Sequence, residues 1–379
     1  MSNPPNKIKP KKSTSSSSNW EKIKELEERI SKTKYNKKTQ HAIGLYKAQI
    51  AKLKSKEVQK AKGKGKQTGY VLKKTGDATV ILLGFPSVGK STLLNQITNA
   101  ESQVGAYDFT TLDVVPGLLK HNYASIQIFD VPGILGGAAS GKGRGKEVLS
   151  VIRSADMLII MIDALKPGQC KTILKEVYET NVRLNQEKPY VKISKKPKGG
   201  ISVGSTVKLS WLDKQTIQDI LREFKITNAD VLIRTDITPD QLIDVIEGNK
   251  KYMPALIVLN KIDLLSPEEK EKLQKELKPD IMISANQKIN LEDLKQKVYD
   301  KLGLTKIFLK EVNKKPDLEE PLILEKNPTI QDVCIKIHKD FLKKFRFAKI
   351  WGNSAKFPGQ MQGLTHVLKD GDIVELHLK

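Results

Sequence analysis

The chain has 379 residues, of which 39% are hydrophobic, and it carries a formal net charge of +23 with only two cysteines. Its longest apolar runs, such as residues 157–165, fall far short of the roughly 20 residues that span a bilayer, and residues 1–20 hold lysines but no apolar segment. We therefore expect a soluble globular protein of two or three domains, without a membrane span or a secretory signal. Cys170 and Cys334 lie 164 positions apart without metal-ligand spacing, which excludes a cysteine metal site and favours the cytoplasm.

Most of the positive charge lies at the start of the chain. Residues 1–75 hold 21 Lys and Arg against 5 Asp and Glu, whereas residues 304–379 hold 14 against 10. A concentrated block of this kind points to an anionic polymer or an anionic membrane surface. Because neither a lipidation motif nor a membrane-inserting aromatic helix accompanies the block, we favour nucleic acid or the ribosome over a membrane.

The first 75 residues indicate a tail followed by a helical hairpin. Residues 1–18 consist largely of Pro, Lys and Ser, and we expect them to be disordered. Apolar residues then recur at helical spacing on either side of a polar break at 33–40: Trp20, Ile23, Leu26 and Ile30, then Ile43, Tyr46, Ile50 and Leu53. This spacing predicts a basic helical hairpin within residues 19–75, with a flexible linker at 61–69.

Residues 76–304 alternate strands with helices. Buried-strand patterns occur at ATVILLG, SIQIFD, MLIIMID and ALIVLN, and helical patterns separate several of them. The series predicts an α/β fold on a mostly parallel, doubly covered sheet. Residues 170–250 interrupt the series with two strand-like stretches joined by a basic turn and two amphipathic helical stretches, so we expect an inserted α+β subdomain there.

The last unit, residues 305–379, is predicted to be rich in β-strands. Strand patterns occur at KIFLKEV, EPLILEK, AKIWG and GDIVELHLK, and residues 329–345 have the pattern of one helix. The simplest interpretation is a small sheet crossed by that helix.

GFPSVGKST, residues 84–92, follows a predicted strand and opens a predicted helix. It fits the phosphate-binding pattern G-x-x-x-x-G-K-[ST] in the context that this pattern requires. The two glycines let the backbone wrap phosphate, so that N–H groups and the helix N-terminus face the anion. Lys90 is expected to contact the β- and γ-phosphates, and Ser91 to bind Mg²⁺. The residues assigned to this loop are Gly84, Phe85, Pro86, Ser87, Val88, Gly89, Lys90, Ser91 and Thr92.

NKID, residues 260–263, follows the strand ALIVL and predicts selection of guanine over adenine. Asp263 can accept hydrogen bonds from N1–H and the exocyclic amine of guanine, whereas adenine offers no such donor pair. Asn260 would brace the loop, and the stem of Lys261 would cover the base. A second loop would place a backbone N–H near guanine O6, with an asparagine where a lysine is often found. The residues of this second loop are Ser284, Ala285 and Asn286.

Asp130 and Gly133 form a DxxG element. Asp130 would hold Mg²⁺ through water, and the N–H of Gly133 would meet the γ-phosphate. Residues 108–117, DFTTLDVVPG, lie between this element and the phosphate loop. A threonine there can bind Mg²⁺ only while the γ-phosphate is present, which is the behaviour of a switch. Thr111 is our first choice for that ligand and Thr110 the alternative, with Phe109 beside them at the nucleotide. The predicted catalytic residues are Lys90, Thr111, Asp130 and Gly133, and the predicted metal ligands are Ser91 and Thr111.

GFPSVGKSTLLN, FTTL, DVPGILGGAASGKGRGKEV and NKID together resemble the developmentally regulated GTP-binding protein family, within the Obg-related translation GTPases. The resemblance extends over nearly all of residues 20–379. It implies an N-terminal helical hairpin, a P-loop GTPase domain with a ribosomal-protein-S5-like insertion, and a C-terminal TGS domain of β-grasp fold. It also implies GTP and GDP as ligands, a role on ribosomes, and, in eukaryotic members, a dedicated partner protein that stimulates hydrolysis.

The residues after DxxG depart from the best-known GTPases. Ile134 lies where those proteins supply a glutamine that orients the attacking water. We therefore expect slow intrinsic GTP hydrolysis that rises when a ribosome, a partner protein or K⁺ orders residues 134–146. Some relatives hold K⁺ partly through a P-loop asparagine, and Ser87 at that position is a weaker oxygen ligand. The alternative is a GTP-sensing scaffold that binds RNA or ribosomes with negligible hydrolysis.

Several basic stretches are candidate contacts for rRNA or tRNA. They are residues 22–74, 192–200 and 338–349, together with Lys142, Arg144 and Lys146. Phosphate contacts of this kind give affinity that falls steeply with salt but carries little sequence information. Trp351, Phe357 and His366 are candidates for stacking on RNA bases, although we favour core packing for Trp351. We expect the protein to be a monomer.

Overall fold

The computed structural model describes residues 17–34, 36, 38–61, 76–98, 115–131 and 151–379. Most of the predicted tail and all but the first residue of the predicted linker lie outside this part of the chain. By its contacts the chain divides into two compact units. The first consists of Met1–Thr68 with Glu187–Lys250, and the second of Gly69–Gln186 with Lys251–Lys379.

The principal helices are, in chain order, α1 Ser17–Lys32, α2 Gln40–Ala61, α3 Lys90–Ile97, α4 Gln169–Glu179, α5 Lys214–Glu223, α6 Pro239–Glu247, α7 Pro267–Leu277, α8 Leu291–Leu302, α9 Ile330–Ile337 and α10 Lys339–Lys344. The strands are β1 Ala78–Leu83, β2 Val115–His121, β3 Ala124–Asp130, β4 Met157–Asp163, β5 Val182–Leu184, β6 Val191–Lys195, β7 Ile201–Ser205, β8 Ala229–Ile233, β9 Lys251–Met253, β10 Ala255–Asn260, β11 Ile281–Met282, β12 Thr305–Leu309, β13 Leu322–Leu324, β14 Phe345–Trp351, β15 Gln360–Gln362 and β16 Asp372–Leu378. Within the described residues, no helix is both long and apolar enough to cross a membrane.

A six-stranded sheet, in the order β11-β10-β4-β1-β3-β2, forms the centre of the second unit. All neighbouring strands are parallel except the β2–β3 pair. Every residue of β1 and of β4 is buried, because one hydrophobic cluster covers each face of the sheet. The predicted mostly parallel, doubly covered sheet is therefore confirmed. Its parallel strands bring Asp130, Asp163 and Asn260 to one edge, where ligands bind in folds of this kind.

The inserted subdomain begins later than the sequence suggested. Residues 170–186 belong to the second unit, because α4 buries Cys170, Ile173 and Val177 against the six-stranded sheet and β5 pairs with β9. The insertion therefore starts at Glu187 rather than at residue 170. Its sheet has the order β6-β8-β7, so the two strands joined by the basic turn do not pair with each other. They flank β8, which is antiparallel to β6 and parallel to β7.

In the first unit, the N-terminal hairpin packs on this insertion. Helices α1 and α2 are present as predicted, and α2 contacts α5 and α6. Gly44 allows the approach, since a Cβ at this position would lie 3.2 Å from the Cγ2 atom of Thr216. Lys52 Nζ forms an ion pair with Glu223 Oε1 at 2.9 Å. No local sequence pattern predicts this packing, because it joins segments far apart in the chain.

The C-terminal unit of the sequence folds as a five-stranded sheet in the order β13-β12-β16-β14-β15. The single helix predicted for residues 329–345 is two helices, α9 and α10. The break lies at His338, whose backbone is extended and whose Nδ1 accepts a hydrogen bond from Asp340 N at 3.2 Å. This side-chain cap starts a new helix in place of continuing the old one.

Candidate nucleotide site

The loop between β1 and α3 needs glycine at two positions. A Cβ on Gly84 would lie 2.7 Å from the carbonyl oxygen of Met161, and one on Gly89 would lie 2.5 Å from Asn260 Nδ2. Gly89 also has a φ of 98°, in the left-handed region that favours glycine. The predicted strand–loop–helix context of the phosphate-binding motif is thus present, with the N-terminus of α3 directed at the loop.

Lys90 is the first residue of α3, and its side chain lies over this loop. Its Nζ donates to the carbonyl oxygens of Gly84 at 3.1 Å and Phe85 at 3.3 Å. Partial burial lowers the pKa of Lys90 below its ordinary value, against the opposing attraction of Asp130. A half-desolvated ammonium at the mouth of the loop is well placed to meet phosphate oxygens.

Ser91 and Asp130 bring a hydroxyl and a carboxylate together beside Lys90. Ser91 Oγ donates to Asp130 Oδ2 at 2.7 Å. Asp130 is only 6% exposed, and its Oδ1 has no hydrogen-bond partner among the described residues. A buried carboxylate oxygen without a donor is costly, so this position favours a cation or an ordered donor.

Asn260 connects the phosphate loop with the base-binding loops. Its side chain is 2% exposed, donates from Nδ2 to the carbonyl oxygen of Val88 at 2.8 Å, and accepts at Oδ1 from Ala285 N at 3.0 Å. The geometry therefore agrees with the bracing role predicted for Asn260 from the NKID motif. One amide group thus joins three segments, each more than 20 residues from the other two along the chain.

Asp163 is a site residue that the sequence interpretation missed. It ends β4, in register with Asn260 at the end of β10. Its Oδ2 accepts from Lys261 Nζ at 2.6 Å, and its Oδ1 accepts from Leu165 N at 2.9 Å. The backbone of Lys261 has a φ of 68°, in the left-handed region, and the ion pair holds its side chain in place. An aspartate closing a strand beside the NKID strand was the available signal.

The other base-pocket residues lie in the adjoining loops. Asp263 is half-buried in a short 3₁₀ turn, Ile262–Leu264. Ser284 is buried, and its Oγ accepts from Gln287 N at 3.1 Å, which shapes the second loop. Asn286 is exposed, as expected of a residue on the pocket wall rather than in the core.

The remaining predicted residues divide into two groups. Phe85 and Thr92 are half-buried, whereas Pro86 and Ser87 are exposed at the tip of the phosphate loop. The residues that lie outside the described part of the chain are Phe109, Thr110, Thr111, Gly133, Ile134, Lys142, Arg144 and Lys146. Their predicted roles stay predictions.

Family models match nearly the whole of the second unit and the insertion. A model described as a 50S ribosome-binding GTPase matches residues 79–196, and one for the C-terminal region of the same domain matches residues 198–304. A TGS-domain model matches residues 305–378. Among solved structures, the YchF GTPase of Schizosaccharomyces pombe is 15% identical with a TM-score of 0.42, over 81% of this chain and 100% of that one.

Two curated relatives extend over almost the full chain. An uncharacterised GTP-binding protein of Methanocaldococcus jannaschii is 52% identical over 363 residues, 95% of this chain and 93% of the relative. Developmentally-regulated GTP-binding protein 2 of Homo sapiens is 43% identical over 359 residues, 94% of this chain and 98% of the relative. The chain belongs to the developmentally regulated GTP-binding protein family. It is thus a GTP-binding protein with a P-loop GTPase domain and a C-terminal β-grasp TGS domain.

GTPases of this family bind GTP or GDP and usually Mg²⁺, and the donor set here fits that ion. Mg²⁺ prefers a few oxygen ligands and keeps several waters. Ser91 is an exposed residue that offers a hydroxyl oxygen, and Asp130 offers a carboxylate oxygen that has no partner within the described part of the chain. These two residues would hold the ion directly and through water, respectively, as the sequence predicted.

Proposed function

We propose that this developmentally regulated GTP-binding protein hydrolyses GTP to GDP and phosphate, and that it acts as a switch on ribosomes. The observation that carries the enzymatic part is the Ser91–Asp130 pair, with Oδ1 of Asp130 unpartnered among the described residues and Lys90 beside it. Burial of this carboxylate is expensive unless a cation or a donor meets its free oxygen, and a cation held there would stabilise the negative charge that develops on the phosphates.

The residues of the chain contribute charge and position rather than covalent chemistry. Lys90 stabilises negative charge on the β- and γ-phosphates, and the backbone N–H groups of the phosphate loop, to which Pro86 contributes none, bind the phosphates. When bound, Mg²⁺ neutralises part of the phosphate charge. From the sequence alone, Thr111, with Thr110 as alternative, would add a ligand to Mg²⁺ while the γ-phosphate is present, and the N–H of Gly133 would meet the γ-phosphate.

The intrinsic rate is proposed to be slow, because Ile134 carries no group that can orient water. A ribosome, a dedicated partner protein or K⁺ would raise it by ordering residues 134–146. The family model described as a 50S ribosome-binding GTPase supports the ribosome as the site of action. The basic stretches at 22–74, 192–200 and 338–349 supply phosphate contacts, and the protein acts as a cytoplasmic monomer.

Single-turnover hydrolysis by variants tests the enzymatic part. With protein in excess over bound GTP, Asp130→Asn and Lys90→Ala are each expected to lower the rate by about 100-fold or more, the loss typical of removing one transition-state contact. Lys171→Ala, an exposed change on α4, serves as the control and should keep the wild-type rate. If wild type and both site variants release phosphate equally slowly, with or without ribosomes, the protein is a GTP-sensing scaffold.

A further inference from the structure

The TGS sheet has an outer face on which large apolar side chains lie among charged ones. This outer face consists of Phe347, Lys349 and Trp351 of β14, Glu375 and His377 of β16, and Met361 of β15, opposite the buried Ala348, Ile350 and Val374. An antiparallel sheet with one packed face commonly leaves the other to water, and that face is then polar. Here Met361 is 62% exposed and two large aromatic rings lie beside it on partly exposed positions. Such a surface indicates a binding partner.

A β-bulge at Arg346 places one of the rings on this face. The pairing of β14 with β16 shifts between Phe345 and Phe347. Phe345 packs into the TGS core, whereas the ring of Phe347 stacks on His377 with centroids 4.3 Å apart. Residues two apart share a face in a regular strand, so the bulge turns Phe347 outwards. Bulges that redirect a side chain are concentrated near functional sites.

The charged residues of the outer face hold cations close to the rings. Glu375 is 3% exposed, accepts hydrogen bonds from His377 Nε2 at 2.7 Å and from Lys310 Nζ, and forms an ion pair with Lys349 Nζ at 3.9 Å. Lys310 Nζ also lies 4.7 Å from the ring centroid of Trp351. The guanidinium carbon of Arg346 lies 5.7 Å from that of Phe347. The carboxylate of Glu375 is thus engaged by Lys310, Lys349 and His377, while the guanidinium of Arg346 lies beside Phe347.

We propose that the outer face binds unpaired RNA, with bases stacked on Trp351 and Phe347 and phosphates beside Lys310, Lys349 and Arg346. Aromatic rings next to cations on a sheet are the usual platform for single-stranded bases, and such sheets stack two or three bases. Four residues of strand separate the two rings by about 13 Å, which leaves room for two bases. A duplex, whose bases already stack on each other, would not fit.

The proposal revises the stacking surface expected from the sequence. Trp351 was assigned to core packing, but Ile350 takes the core position and Trp351 lies on the outer face. His366 lies outside the strands and contacts Ser354 Oγ through Nε2 at 3.0 Å. The sequence does not indicate Phe347 as a stacking residue, because its outward direction depends on the bulge. The inference deepens the ribosome contact proposed above by naming a surface and the form of RNA that it accepts.

Fluorescence of Trp351 tests the proposal directly. In the full chain, Trp20→Phe and Trp211→Phe leave Trp351 as the last of the three tryptophans. A short single-stranded oligoadenylate, added without nucleotide or ribosomes, is expected to quench this fluorescence to saturation, whereas an RNA duplex should not. Phe347→Ala should raise the Kd for the single strand about tenfold, the typical effect of losing one stacked base. Lys349→Gln should lower the salt slope of binding by about one.

Lys314→Gln, between β12 and β13 and outside the basic stretches named above, is the matched control, since its side chain is 68% exposed and it should change neither value. Thermal melting of each variant shows whether the TGS domain is folded. If Phe347→Ala is unfolded, Lys349→Gln still tests the proposal. Equal quenching by duplex, no quenching by single strands, or unchanged binding by both variants would overturn the proposal. Quenching by a ribosomal protein but not by RNA would also overturn it. GTP takes no part, so hydrolysis can fail without affecting this result.

Discussion

The ion pair between Asp163 and Lys261 is expected to set how tightly the base is held. It fixes the lysine whose stem would cover the guanine ring, and a partly buried pair of this kind is worth more than an exposed one. Asp163→Asn should weaken GDP binding by about fivefold to tenfold, corresponding to roughly 1 kcal/mol. Isothermal titration of GDP into the wild type and the variant measures the change.

A double-mutant cycle separates this role from general stability. The loss of GDP-binding free energy in the double variant, Lys261→Met with Asp163→Asn, should be smaller than the sum of the two single losses. Each substitution removes the same contact. Asp280→Asn is the matched control, because Asp280, like Asp163, accepts a hydrogen bond from a backbone N–H, that of Ile257 at 2.7 Å. Strict additivity of the two losses would show that the ion pair does not position Lys261.

Lys90 should make nucleotide affinity sensitive to alkaline pH. Burial lowers its pKa in the nucleotide-free protein, so it loses its proton at a lower pH than an ordinary lysine. Phosphate favours the charged form, and binding in this range must therefore take up a proton. The Kd for GDP is expected to rise with pH as Lys90 deprotonates, and the Kd of Lys90→Arg should rise less over the same range. A wild-type Kd that stays constant up to the pH of ordinary lysine titration would contradict this linkage.

Residue-scale chemistry was predictable where a motif fixes both identity and spacing. The phosphate loop and NKID residues lie where the sequence predicted, because strand, loop and helix are local. Asp163 was not found, since its partner is 98 positions away and only the strand order brings them together. The same holds for the bulge at Arg346, which depends on how β14 pairs with β16.

At the scale of elements, the junction of the phosphate loop with α3 is the most constrained point. The Cβ of Gly89→Ala would clash with Asn260 Nδ2, and the alanine would have to adopt a left-handed backbone conformation. The left-handed conformation alone costs about 1–2 kcal/mol, before any hydrogen bond is lost. We expect a lower melting temperature and GDP affinity reduced by at least about tenfold. Both can be measured on the same preparation by calorimetry.

Gly168→Ala provides the comparison for that change. Gly168 has a φ of −59°, and no atom lies within 4 Å of the added Cβ. It should melt at or slightly above the wild-type temperature, since alanine restricts the unfolded chain. Equal tolerance of both substitutions would mean that the loop does not require glycine at position 89.

Element types were largely predictable from the sequence, but their partners were not. The period-two and helical patterns predict the correct element types for most of the described residues between 76 and 379. The order β6-β8-β7 and the docking of α2 on α5 come from contacts between distant segments, which no local pattern records. The helix break at His338 was missed because apolar spacing continues across it.

At the scale of the whole molecule, the basic hairpin is expected to anchor the protein to ribosomes. Deleting residues 1–75 would also remove α2 and uncover the apolar core of the insertion, where Ala48 is buried. Neutralising exposed lysines avoids this problem. Lys22→Gln with Lys24→Gln should reduce the salt slope of ribosome co-sedimentation by about two, while Lys272→Gln with Lys275→Gln should not. Identical slopes for both pairs would remove α1 from the contact.

The central claim is that GTP hydrolysis by this protein needs an external partner. The most direct measurement is the single-turnover rate of GTP hydrolysis by the full chain, alone and with ribosomes, at matched Na⁺ and K⁺. We predict slow hydrolysis by the isolated protein in Na⁺ and a rate at least about tenfold higher with ribosomes, a barrier change of roughly 1.4 kcal/mol. Rapid turnover by the isolated protein in Na⁺, unchanged by ribosomes, would contradict the account.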